Sequence, residues 1–78
     1  LSLQAFTLSN SSFIVQQSKF MADRIERSRS DARDRAAYAY RLAFGRLAEP
    51  EELVAAVEFA DQHGMWMLCR ALFKVATS

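Results

Sequence analysis

Apolar residues recur through most of this chain at the three- and four-residue spacing of a helix. From Ser12 to Ser28 two such lines run side by side. One is Phe13, Gln17, Phe20, Arg24 and Arg27; the other is Ile14, Ser18, Met21 and Ile25. Phe13, Ile14, Phe20, Met21 and Ile25 together predict one apolar face, with Gln16, Lys19, Asp23 and Glu26 turned to water. Ser28-Arg29-Ser30-Asp31 then breaks the pattern, and Ser30 or Asp31 can cap the next helix. That helix is expected from Ala32 to Phe44, with Asp34 in its first turn. Ala36, Ala37, Tyr40, Ala43 and Phe44 recur along it, and the small Ala side chains allow a neighbouring helix to come close. A further helix is predicted from Pro50 to His63, burying Leu53, Ala56, Val57 and Ala60 and closed by Gly64. The last runs from Met65 to Ala76 and turns Met65, Leu68, Cys69, Leu72, Phe73 and Ala76 inward.

The opening residues Leu1, Leu3, Ala5, Phe6 and Leu8 fit both a short helix and a strand. We read them as a short helix, because everything downstream is helical. Ser9-Asn10-Ser11-Ser12 then reads as a break rich in N-cap residues. No β-branched alternation or hairpin signal occurs anywhere. The expected fold is therefore all-α: a compact bundle of four main helices plus a short N-terminal helical segment. Residues 1–78 are expected to form one domain, and a start at Leu1 rather than Met suggests a fragment of a longer protein.

The stretch Tyr40-Arg41-Leu42-Ala43-Phe44-Gly45-Arg46-Leu47-Ala48-Glu49-Pro50-Glu51-Glu52-Leu53 organises the middle of the chain. Gly45 can take the left-handed conformation that closes a helix. Pro50 suits the first position of the next helix, where its missing N–H leaves no bond unmade. Glu51 and Glu52 follow in the first turn, at the positive end of the helix dipole.

Charge adds little. The net charge is +1, yet residues 19–46 carry a balance of +4 and residues 47–78 a balance of −3. Arg24, Arg27, Arg29, Arg33, Arg35, Arg41 and Arg46 supply the basic half. Arg pairs well with phosphate, so an acidic partner or nucleic acid is the alternative reading. Against it, Asp23, Glu26, Asp31 and Asp34 are interleaved, and a pI near 8.2 is only mildly basic. The helices joined at Gly45 are not expected to read DNA, since Glu49, Glu51 and Glu52 would repel phosphate at the second helix's start. No apolar run approaches the ~18–20 residues of a membrane span.

No catalytic, cofactor-binding or metal site is expected. His63 is the lone His, with no Cys or His at ligand spacing, and its place near a helix end suits the dipole there. Cys69 is the lone Cys and falls in the apolar run Met65-Trp66-Met67-Leu68-Cys69, where a buried thiol is expected. Trp66 and Met67 fall off the Met65–Leu68–Cys69–Leu72 line. Met and aromatic residues are also the commonest filling of a small core, so the two either complete the core or form the candidate docking surface, Trp and Met being enriched at interface cores.

Three segments carry a resemblance: Leu3-Gln4-Ala5-Phe6-Thr7-Leu8-Ser9-Asn10-Ser11-Ser12-Phe13-Ile14, the Tyr40–Leu53 stretch above, and Leu68-Cys69-Arg70-Ala71-Leu72-Phe73. Together they resemble the C-terminal planctomycete-specific domain of large proteins that also carry a cytochrome c-like segment, a family without an established role. The resemblance implies a domain of a large exported or cell-envelope protein, and our leading expectation is that it packs against that protein's other domains. It carries over no catalytic residue. The haem motif Cys-x-x-Cys-His does not occur in this sequence. Glu49 stands where the family often has Thr or Ser, so the helix starting at Pro50 is expected to be less well capped. A non-catalytic helical domain is thus the leading expectation.

Overall fold

The computed structural model describes residues 2–77, with side chains described from residue 12 onward. Its elements are α1 (Ser2–Ser28), α2 (Ala32–Phe44), α3 (Pro50–His63) and α4 (Met65–Ala76), with no strand among the described residues. The bounds of α2, α3 and α4 match the sequence expectation. At the N-terminus the short helix and the helix after it are one element, α1, with no break at Ser9–Ser12. Ser and Asn cost only tenths of a kcal/mol each inside a helix, and no Gly or Pro stands there to stop it. Which way the side chains of Leu3, Phe6 and Leu8 point lies outside the described residues.

All four helices contribute to one core. Met21, Ala22 and Ile25 come from α1, Ala36 and Ala39 from α2, Ala56 from α3, and Met65, Leu68, Cys69 and Leu72 from α4. Four of these ten are Ala, which lets the helices approach closely. Ala39, rather than Ala37 or Ala43, joins Ala36 at full burial in α2.

The apolar face of α1 differs from the expected one. Ser18, Met21, Ala22 and Ile25 are buried, whereas Phe13 is 53% and Phe20 65% exposed. At 100° per residue, Phe13 and Phe20 lie across the helix from Ser18 and Ile25. A helix packed along one side can bury only one of its two lines. The Ser18 line is the slimmer, and it admits α4 because the Ser18 hydroxyl donates to the Ile14 carbonyl at 2.6 Å, leaving no buried side-chain polar atom unmet among the described residues. In α4 the expected Met65, Leu68, Cys69 and Leu72 are buried and Phe73 is half-buried. Ala76 is exposed instead, because the helix end runs past the core.

The corners differ in how they are held. Asp31 caps α2, its Oδ2 accepting from the N–H groups of Arg33 at 3.0 Å and Asp34 at 3.2 Å. Arg35 reaches back to the end of α1 and donates to the carbonyls of Arg29 at 2.7 Å and Glu26 at 3.2 Å. These are carbonyls that a helix end leaves without intrahelical partners. Gly45 closes α2 at φ 70°, ψ 21°, the left-handed region expected of it. Gly64 alone joins α3 to α4, at φ 96°, ψ 156°.

Candidate functional site

The Gly45 junction carries more than helix punctuation. Arg46 extends across it, its Nη1 and Nη2 donating to the two carboxylate oxygens of Glu52 at 2.9 and 3.0 Å. Nη1 also donates to the Leu47 carbonyl at 2.9 Å. The guanidinium lies 5.6 Å from the Tyr40 ring centre and 5.5 Å from that of Phe44. Tyr40 and Phe44 are themselves in ring contact at 5.4 Å. Glu52 Oε1 accepts the Glu49 N–H at 2.9 Å, a donor that the α3 start would otherwise leave unmet. Glu49 and Glu52 thereby form a capping box at the start of α3, so the Glu52 half of the pair offsets the weaker cap expected of Glu49 there.

This clasp sets the local electrostatics. The Arg46 hydrogen bonds, then the Glu49 N–H, push the Glu52 carboxyl down to about 2. Arg46 is raised in turn by its bond to Glu52. The Tyr40 hydroxyl is raised, first by burial and then by the Glu52 charge, with Arg46 opposing. The arrangement ties α2 to α3. Sequence reasoning missed it. The available signal was an Arg directly after the closing Gly together with a Glu three residues into the turn that follows Glu49.

Most of the Arg group is spent on the fold. Arg27 pairs with Asp23 one turn earlier, and Arg29 lies 4.4 Å over the Tyr38 ring. Arg35 and Arg46 are engaged as above. Arg24, Arg33 and Arg41 are exposed. Arg29 and Arg41 share a shallow groove of about 380 Å³ with Tyr38, Asp34 and Leu47.

His63 is exposed at the end of α3, its ring 4.7 Å from that of Phe59. Cys69 has no exposed surface, and burial, with a smaller contribution from Glu26, pushes its thiol up to about 12. Such a thiol is not a nucleophile at neutral pH. Among the described residues, no group of three or more His, Cys, Asp or Glu could hold a metal ion. No helix there is long and apolar enough to cross a membrane.

Trp66 and Met67 are half-buried, flanking the buried α4 line on opposite sides. The Lys19 ammonium stands 5.1 Å over the Trp66 ring. Met67 continues into Ala71 and Val75 at four-residue spacing, with Val75 66% exposed. A second groove, about 570 Å³, lies between the α1–α2 corner, α3 and the start of α4. Val54, Val57 and Met65 give it an apolar lining, and Glu26, Glu58 and Asp61 stand at it as well. Its Arg35 is turned to the α1 carbonyls, and no ion pair among the described residues engages the three acids.

Residues 1–60 match the family model described as a protein of unknown function, DUF1553. The chain belongs to this family. The DUF1553 match takes in α1, α2, the Gly45 clasp and most of α3, and it stops before α4. Trp66 and Met67 therefore lie beyond the part of the chain that the DUF1553 model covers. No curated protein and no solved structure matches this DUF1553 chain.

Proposed function

We propose that this DUF1553 chain is a non-catalytic helical domain that packs against other domains of a larger protein through the outer side of α4. The observation that carries the reading is the Met67–Ala71–Val75 line. It lies off the buried face of α4 yet holds no polar residue, where a solvent-facing helix line normally carries charge. Trp66 stands on the other flank with its ring screened only in part. The deep burial of Cys69 and the engagement of Arg27, Arg29, Arg35 and Arg46 in the fold support a structural role over a catalytic one. The Arg-rich alternative, an acidic partner or nucleic acid, rests on Arg24, Arg33 and Arg41, and binding of that kind would weaken steeply with salt.

Trp66 reports on the docking directly. In the isolated domain its emission should be partly red-shifted and open to acrylamide. Adding the neighbouring domains of the parent should shift it to the blue and protect it. Met67→Asp with Val75→Asp should leave the melting temperature nearly unchanged but abolish that shift. A Trp66 that acrylamide cannot reach in the isolated domain sinks this reading.

A further inference from the structure

Two features remain without a role, the outer line of α1 and the groove beside α3. The outer line presents Phe13 and Phe20, both more than half exposed, followed by Arg24 and Arg27 on the same side. Seven residues set the two rings about 10 Å apart along the axis, the spacing of paired anchors in helix-in-groove recognition. The groove offers the complement. Val54 is 58% exposed in its wall, Val57 and Met65 continue the apolar surface, and Glu58 and Asp61 follow Val54 at helical spacing along α3.

We infer that copies of this chain associate head to tail, with the outer line of α1 on one copy seated in the α3 groove of the next. Phe13 and Phe20 bury against Val54, Val57 and Met65, and Arg24 meets Glu58 and Asp61. Arg24 has no ion pair among the described residues, and neither do those two acids, so the contact breaks none. Charge complementarity selects this occupant. The chain's basic excess falls within residues 19–46, which hold the Arg end of the line. Its acidic excess falls within residues 47–78, which hold most of the groove. Donor and acceptor surfaces are different patches, so the contact is heterologous and every assembly keeps one free patch of each kind at its two ends. The inference is independent of docking through α4, which uses Met67 and Val75.

Sedimentation velocity over a range of concentrations, with circular dichroism to confirm folding, tests it. The wild-type chain should show an average mass that climbs with concentration and falls back in high salt. Phe13→Ser with Phe20→Ser removes the donor line; Glu58→Lys with Asp61→Lys spoils the acceptor. Each double variant should be helical and monomeric alone. An equimolar mixture of the two should form a one-to-one pair that grows no further, because one supplies the intact groove and the other the intact line. A wild-type chain that is monomeric at every concentration overturns the inference. So does association that persists in either double variant, or a mixture of the two that stays monomeric.

Discussion

The two glycine junctions solve one problem by different means. Between α2 and α3 the chain takes residues 45–49 to turn, and a side-chain clasp spans the gap. Between α3 and α4 it takes Gly64 alone. The Gly64 N–H donates to the Ala60 carbonyl at 2.8 Å, and its own carbonyl accepts the Leu68 N–H at 3.2 Å, so one residue ends a helix and starts the next. No side chain caps α4, and Gly64 stands in the wall of the α3 groove. The difference is between a turn secured by side-chain chemistry and a turn secured by backbone conformation. The first should tolerate asparagine at its glycine and respond to pH and salt. The second should be indifferent to both and intolerant of any side chain.

The sharpest break in that contrast is asparagine at each glycine. Gly64 lies at φ 96°, ψ 156°, a region that is essentially glycine-only. Gly45 lies at φ 70°, ψ 21°, where Asn is the most readily accepted replacement. Neither position has an atom within 4 Å of where a Cβ would sit, so strain and not collision decides both. Gly64→Asn should cost about 1–3 kcal/mol by urea unfolding, and Gly45→Asn less than about 1 kcal/mol. Equal costs would mean the two turns are not held differently.

Within the Gly45 turn, Gly45→Val should cost more than about 1 kcal/mol, because a β-branched side chain resists positive φ. Its gap from Gly45→Asn, read in the same urea titrations, isolates the conformational part. A Val variant that unfolds with the wild type would show that the Arg46–Glu52 clasp holds the turn whatever the backbone does.

These junctions also show what the sequence made legible. Gly45 and Pro50 declared themselves, and the α2 cap was narrowed to Ser30 or Asp31, because capping and turn conformation are local properties of a few residues. The continuous α1 did not, since Ser9–Ser12 can either cap a helix or sit inside one. The burial of Ile25 and the exposure of Phe20 were not separable either. Both lines of α1 are helical in spacing, and only the position of α4 chooses between them. The Arg46–Glu52 clasp needs the turn's three-dimensional path to bring residues six apart face to face. Trp66 and Met67 fall off the buried line by spacing and are half-buried in the structure, but Lys19 over Trp66 belongs to another helix and left no trace in the local pattern.

The smallest effect in the comparison is electrostatic, and it should appear only at the clasped turn. Glu52 falls from an ordinary 4.5 to about 2 in the folded chain, because Arg46 and the Glu49 N–H bind its charged form. Between those two values the unfolded chain holds the proton more tightly than the folded one. The clasp's contribution is therefore complete above about pH 4.5, declines as pH falls, and is gone below about pH 2. Glu52→Gln keeps an oxygen for the Glu49 N–H but no charge for Arg46. Its melting temperature should lie slightly below the wild type's at neutral pH, and the two should converge as the pH falls toward 2. High salt should narrow the neutral-pH gap, since the pair is exposed to solvent. Other carboxylates titrate in the same range, so the difference between the two proteins is the quantity to follow. A difference that stays constant down to the lowest pH would mean that Glu52 acts through hydrogen bonding alone. The two junctions would then differ in backbone conformation and not in charge.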